Sequence, residues 1–374
     1  MQFNKIKLKE IAEINMGQSP RGSSYNNNGK GIPFLQGNKT FGFLYPTIDT
    51  WTTEPKKIGK KNSVLMSVRA PVGDLNIANK DICIGRGLCS IEIKDGNNQY
   101  LYYLLKYSIK EIKMKSTGTV FDSINRRELE NLEILDFDKS QQKKISKVLF
   151  DIDKNIELNN KTNDNLYEMM KIKFEDWITN LNKYEVSSLS KIAKYTNGLA
   201  MQKFRSKDNE ESLPVIKIKE MNDGITENTE RCSTNIKDEV IINNGDVLFA
   251  WSGTLCMIIW GKGKAGLNQH IFKVTSDKYP KWFYYFWTLK HLNRFKMIAA
   301  GKATTMGHIK RGELDISEVL IPENKELQEM HKIMQPLFNK YINNLIQNET
   351  LTQLRDTLLP KLMNGEIDLD KIEI

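Results

Sequence analysis

Asp81, with Glu92 and Lys94 of the tripeptide EIK, has the residue types for metal-assisted phosphodiester hydrolysis. That chemistry needs the carboxylates to converge on a Mg²⁺ ion that activates water and neutralises developing charge. Glu92 and Lys94 fall on an alternating, strand-like pattern, and the related segment in the second half reads FKV, so a chance match is the competing reading. A stand-alone Mg-dependent DNA endonuclease is kept as the alternative function. Gly-Lys pairs occur at 29–30, 59–60, 261–262, 263–264 and 301–302. None is followed by the Ser or Thr of a phosphate-binding loop. No Asn-Pro-Pro-Tyr or Asp-Pro-Pro-Tyr segment is present to hold a target amine for methylation. The histidines (His270, His291, His308, His331) offer no triad, and the cysteines (Cys83, Cys89, Cys232, Cys256) no zinc-ligand spacing. The cysteines read as buried, reduced thiols. The expectation is a chain with no catalytic residues, no metal and no cofactor of its own.

A different chemistry is better supplied: directional hydrogen bonding to base edges. Arg suits guanine and Asn or Gln suits adenine, while Lys and small polar groups suffice for phosphates. In the first half Gln18, Arg21, Asn26, Asn27 and Asn28 share a Gly/Ser-rich loop, and Gln36, Asn38 and Lys39 follow a strand-like segment. Arg69 and Arg86 lie beside Pro or Gly turns, and Lys115, Thr117 and Thr119 come just before a long helix. The second half offers Gln202, Lys203, Arg205, Lys217, Lys219, Gln269, His270, Lys302, Thr304 and His308. A solvated loop residue is the competing reading for each single side chain, so the expectation attaches to the loops as groups. The net charge of +9 and pI near 9.1 favour a polyanionic partner, though a composition rich in Lys, Asn and Ile lowers the weight of that sign.

These loops need a frame, and the chain spells one twice. LKEIAEINMG (8–17) matches LSKIAKYTNG (189–198) at an offset of 181, YLYYLLK (100–106) matches WFYYFWT (282–288), and INRREL (124–129) matches IKRGEL (309–314) at 185. Each half opens with a short amphipathic helix carrying Leu8, Ile11 and Ile14, or Leu189, Ile192 and Tyr195. Strand candidates follow, SVLMSV (63–68) and DVLFAW (246–251), separated by Gly, Asn and Pro turns. An aromatic helix comes next, about 99–114 and 281–297, then a long helix, about 139–180 and 324–359, the second closed by Pro360. The aromatic runs and Trp177 and Trp251 read as core or seam rather than as base-stacking surfaces.

Heptads organise both long helices. In the first, Ile145, Ile152, Asn159, Leu166 and Lys173 take a positions, and Leu149, Ile156, Asn163, Met170 and Trp177 take d positions. An offset of 185 puts Met330, Leu337, Asn344, Leu351 and Leu358 at a, and Met334, Tyr341, Asn348, Arg355 and Leu362 at d. Polar residues in a seam lower stability but fix register and partner. Two Asn layers kept at one offset predict that the two helices pair with each other as an antiparallel coiled coil. Asn159 and Asn344 are then expected near its centre. At ~1.5 Å per residue, some 40 residues make a rod of about 60 Å that spaces two related heads. Ile152, Ile156, Asn159, Asn163, Leu337, Tyr341, Asn344 and Asn348 are the expected pairing residues.

INMGQSPRGSSYNNNGKGIPFLQGNKTF (14–41) and VLMSVRAPVGDLNIANKDICIGRGLCSIEI (64–93) resemble a target-recognition domain of the specificity subunits of type I restriction-modification enzymes. STGTVFDSINRRELENLEI (116–134) resembles the family's loop before its spacer helix, and TLLPKLMNGEIDL (357–369) the end of its second spacer helix. In the second half GLAMQKF stands in place of the Gly-Gln-Ser-Pro run and AWSGTLCMIIW in place of the Arg-Ala-Pro segment, so contacts do not transfer from one head to the other.

The resemblance implies an α+β chain with two similar target-recognition domains, 1–138 and 184–323. Spacer helices at 139–183 and, with the C-terminal tail, 324–374 would pair as the antiparallel coiled coil. It implies a non-catalytic subunit whose heads each read half of a bipartite, asymmetric site on double-stranded DNA. Two methyltransferase (modification) subunits carrying S-adenosylmethionine, and restriction/translocase subunits using ATP and Mg²⁺, are the implied partners. With no signal-peptide core in MQFNKIKLKE and no apolar run of ~20 residues, a cytoplasmic protein away from membranes is expected.

Overall fold

The computed structural model describes residues 4–116, 122–207, 210–301 and 307–371. Four helices recur below: α1 (Asn98–Tyr107), α2 (Lys139–Thr179), α3 (Lys281–Ala300) and α4 (Asn324–Met363). The chain divides into two compact units, Met1–Glu157 with Leu351–Ile374, and Leu158–Thr350. None of the described helices is long and apolar enough to cross a membrane.

Unit 1 holds a four-stranded antiparallel sheet in the order Ala12–Met16, Leu88–Ile93, Val64–Ser67, Leu75–Ile77. Strand Leu88–Ile93 is central, with Ile91 opposite Ile14 on one side and Val64 on the other. A second sheet orders Tyr25–Asn26, Trp51–Thr52, Ile32–Leu35, Ile82–Ile84 and Ile58–Gly59, with Ile32–Leu35 and Ile82–Ile84 parallel. Helix α1 starts where the Asn97 side chain accepts from the Tyr100 amide at 3.2 Å. Its whole run from Tyr100 to Leu105 is buried. A helix apolar all round is a core element, which is why this stretch packs inside rather than meeting bases.

Unit 2 repeats the plan. Its four-stranded sheet runs Lys194–Asn197, Ile271–Thr275, Val247–Ala250, Cys256–Ile259, and a parallel pair again joins Ser212–Ile216 to Ala265–Leu267. Trp282 to Thr288 of α3 are buried as α1 is. Even single backbone hydrogen bonds recur. Gly17 N–H to Leu88 O returns as Gly198 N–H to Ile271 O; Val68 to Gly87 returns as Trp251 to His270; Ile124 to Val68 returns as Ile309 to Trp251. The offset grows from 181 through 183 to 185 as loops lengthen.

The opening segment of each half differs from expectation. Its helix is one turn, Leu8–Ile11 or Leu189–Ile192, and Ile14 and Tyr195 lie on the strands that follow. Ala12 and Ile14 alternate with the exposed Glu13, a two-residue period that the sheet captures. At the other end, Pro360 does not end α4, which runs on to Met363. Leu359, Leu362 and Met363 are buried in the core of unit 1, and that burial offsets the ladder bond a proline cannot donate.

The long helices pair antiparallel within each unit. In unit 2 Asn344 Nδ2 donates to Asn163 Oδ1 at 2.9 Å, and Asn159 Nδ2 donates to Asn348 Oδ1 at 2.9 Å and to Gln347 Oε1 at 2.9 Å. Asn159 and Asn344 are thus each bonded in the seam, but to Asn348 and Asn163 rather than to one another. In unit 1 Arg355 Nη1 donates to Asp153 Oδ1 at 2.7 Å. In all of these Asn–Asn and Asp–Arg pairs the two residue numbers add to 507 or 508, one register throughout.

The d stripe Leu149, Ile156, Asn163, Met170, Trp177 is buried. The a stripe drifts: Lys173 is exposed and Phe174 buried, Ile152 is half-buried and Asp153 fully buried. A straight helix turns about 20° per heptad away from a strict seven-residue repeat, and here the head cores take up the later positions. Leu337 and Tyr341 are half-buried against the core of unit 2.

Candidate nucleic-acid interface

In each head, loops leaving the strand ends are drawn together by the repeated hydrogen bonds. In unit 1 the rim forms around Gly17, where a Cβ would collide with the carbonyl oxygens of Gly85 and Leu88. Only glycine allows this approach. Gln18 N–H then bonds Ile84 O at 2.9 Å, Gly87 N–H bonds Gln36 O at 3.3 Å, and Ser19 Oγ donates to Gln36 Oε1 at 3.0 Å while accepting from Arg86 N–H at 3.2 Å. Exposed Gln18, Gln36 and Arg86 therefore sit on adjoining loops. Exposed Arg69 is next to Val68, whose amide bonds Gly87 O at 2.9 Å, and it bridges to Ser123.

Other sequence candidates fall elsewhere. Asn26 is used by its own loop: it donates to Lys30 O at 2.8 Å and accepts from Lys30 N–H at 3.0 Å. Asn38 donates to Asp74 Oδ2 at 2.6 Å. Arg21, Asn27 and Asn28 are exposed on the loop around Asn26, Lys39 is exposed in a short 3₁₀ turn, and Lys115 is exposed at the end of helix Ile109–Lys115. Thr117, Thr119, Lys302 and Thr304 lie outside the described residues.

The matching rim of unit 2 has the same backbone and other side chains. Gly198 is crowded against Leu267 and Asn268 carbonyls as Gly17 is against Gly85 and Leu88. Offset 183 places Gln269 at the position of Arg86 and Ser252 at that of Arg69. Half-buried Gln269 and His270 touch side chain to side chain at 3.3 Å, and Ser252 bridges to His308. Lys217 matches Gln36 but its ammonium pairs with Glu230 at 2.6 Å. Lys219, Gln202, Lys203 and Arg205 are exposed nearby in sequence.

Trp251, expected in core or seam, is half-buried against the core of unit 2, directly beneath this rim. Its ring centroid is 5.9 Å from His270 and 6.4 Å from His308, and it stacks on Phe272 at 5.6 Å. The repeat sets Trp251 against Val68, itself buried in the core of unit 1 beside Arg69.

The residues of the nuclease alternative are separately engaged. Asp81 Oδ1 accepts from Lys61 N–H at 2.8 Å, Glu92 pairs with Lys60 at 3.5 Å, and Lys94 Nζ donates to the carbonyls of Lys9 and Glu10 at 2.9 and 3.0 Å. Among the described residues no three His, Cys, Asp or Glu side chains gather as a metal site. The cysteines are free, and burial pushes the Cys89 thiol up to about 12. A neutral buried thiol is a packing group, not a nucleophile.

Two copies of one α/β head, each followed by a long helix, and the two helices paired, define a duplicated two-headed protein. The family described as type I restriction modification DNA specificity domain matches residues 2–168 and 182–353, and the chain belongs to it. It is 41% identical over 185 residues to the putative type I restriction enzyme MjaX specificity subunit of Methanocaldococcus jannaschii, a match covering 45% of this chain and 44% of that protein, less than half its length. It is 25% identical to the type I restriction enzyme MjaIX specificity subunit of the same organism over 98% of this chain and 94% of that one. The crystal structure of the type-I restriction-modification system S subunit from M. genitalium shares the fold, with TM-score 0.61 and 16% identity over 97% of this chain and 96% of that one.

Proposed function

We propose that this chain is the non-catalytic DNA sequence-specificity subunit of a type I restriction-modification system. Each head reads one half of a bipartite, asymmetric site on double-stranded DNA, and α2 with α4 sets the unread gap. The observation that carries the reading is the duplicated rim: the same backbone bonds hold Gln18, Gln36, Arg69 and Arg86 in one head and Ser252, Gln269 and His270 in the other. A constant frame with changed donors and acceptors is what two readers of different base sequences need.

Two methyltransferase subunits, bringing S-adenosylmethionine, dock on the outer faces of the long helices. Leu158 and Ile172 of α2 are 61% and 63% exposed there, and Leu354 of α4 is 45% exposed. Restriction/translocase subunits bring ATP and Mg²⁺. Co-expression with the methyltransferase partner, followed by genome-wide mapping of methylated adenines, tests the reading. One two-part motif with a fixed gap is expected; methylation with no such motif, or DNA cleavage by the isolated chain with Mg²⁺, overturns it.

A further inference from the structure

The helix repeat treats the polar residues of the seam in two different ways. Offset 185 carries Asn159 to Asn344 and Asn163 to Asn348, so the Asn layers are kept. The same offset carries Asp153 to Phe338 and Arg355 to Met170. In unit 1 Asp153 and Arg355 form an ion pair with side chains 0% and 7% exposed, and Tyr103 donates a further bond to Asp153 Oδ2 at 2.8 Å. In unit 2 Phe338 and Met170 are buried in one apolar cluster, and Tyr285, the repeat counterpart of Tyr103, packs its ring 5.6 Å from Phe338. One end of the duplicated seam is ionic where the other is greasy.

A duplicated helix has a wrong mate available: its own copy in a second chain. If α2 paired with a second α2 in the observed register, less 185, Asn159 would face Asn163. The amide layers would be satisfied as well as they are now. Asp153, however, would face Met170, and the two-fold relation would bury this unpaired carboxylate twice. An α4–α4 pair would set two Arg355 guanidinium groups against Phe338, each left with only its helix neighbour Asp356, bonded at 2.8 Å and 56% exposed. A desolvated charge without a partner is among the most unfavourable things a core can hold. Only the heterotypic pair gives buried Asp153 a guanidinium across the seam.

We infer that the Asp153–Arg355 ion pair selects the helix mate: it admits α4 to α2 and turns away the α2 of a second copy of this chain, while the Asn layers set register only. A well-packed apolar pair would hold α2 to α4 comparably, as Phe338 and Met170 do across the other end. Charge is needed for the choice rather than for the grip. The inference stands on the helix register and is independent of which DNA the heads read.

The test uses the full chain. An α2–α2 pair in this register brings Lys161 of one copy against Lys161 of the other, a contact that a single chain cannot make. Equal amounts of ¹⁵N-labelled and unlabelled chain are unfolded together, refolded and treated with a lysine-reactive cross-linker. Labelled-to-unlabelled Lys161 cross-links are then counted by mass spectrometry. Wild type is expected at background. D153F/R355M, which copies the apolar end, is expected to raise the mixed cross-link about tenfold or more, rising with concentration. D153N/R355Q, which keeps volume and hydrogen bonding but removes both charges, is expected to do the same if the apolar version does not regain native helicity. A refolded uncharged variant that stays at background, or wild type giving as much mixed cross-link as the variants, overturns the inference.

Discussion

Asn344 Nδ2 donates to Asn163 Oδ1 at 2.9 Å, in the buried middle of the seam between two distant parts of the sequence. Asn163 also donates to Tyr341 O at 3.2 Å. Replacing Asn344 alone by Leu strips Asn163 of its amide partner and should destabilise by about 1–3 kcal/mol. Asn163→Leu with Asn344→Leu removes both polar groups and should recover that loss. Urea midpoints of the two variants check this; a double variant no better than the single would break the pairing assignment.

Arg355→Met leaves Asp153 fully buried without its ion-pair partner. A loss of about 3–5 kcal/mol is expected. Adding Asp153→Phe should restore most of it, since Tyr285 and Phe338 already demonstrate the apolar solution. A cycle of the two single variants and the double, followed by chemical denaturation, reads the coupling; independent, additive effects would contradict it.

Arg86→Ala and Gln269→Ala probe equivalent rim positions in different heads. With the methyltransferase partner bound, Arg86→Ala should relax one half of the motif by about 1–3 kcal/mol of discrimination and leave the other half intact. Gln269→Ala should do the converse. Methylation maps showing both halves relaxed by either change would remove these residues from base reading.

His291 supplies a pH signature. Burial holds its imidazole below the usual value, partly offset by its bond to Glu318 O at 2.8 Å. The unfolded chain therefore takes up a proton more readily than the folded one. Its contribution to stability is full above the usual histidine pKa of about 6.5 and is lost as pH falls through that value toward the lower folded pKa. His291→Gln should flatten this part of the stability–pH curve; an unchanged slope would assign the acid sensitivity elsewhere.

Seven residues added to α2 after Asn159 and seven to α4 before Asn348 keep the heptad phase and lengthen each helix by about 10 Å. With DNA rising ~3.4 Å per base pair, the unread gap should grow by about three base pairs while both half-motifs stay the same. Methylated sites with the original gap would refute a spacing role for the helices.

Much of this was legible in the sequence because backbone bonds repeat with it. The 181-to-185 drift reports where loops lengthen between shared strands, and the d stripe from Leu149 to Trp177 is buried as a heptad reading requires. Where structure departs from the sequence pattern, the causes are physical. Ile14 lies within reach of both a helical and a two-residue period, and pairing with Ile91 decides for the strand. Strict heptads favour Ile152 over Asp153, and only the register set by Arg355 places Asp153 in the seam. Trp251 packs on the core as an aromatic residue beside a buried strand should, and its backbone bond to His270 joins that core to the rim.

Gly17 and Gly198 are wedged against carbonyl oxygens, and the neighbouring amides complete the same bonds in both heads. The shape of each mouth is thus dictated by main chain, leaving Arg86 and Gln269 free to differ. On the proposed reading, mutation at such spots alters taste without disturbing architecture. A chain built this way can acquire a new target in one half while its sibling half goes on serving the old one.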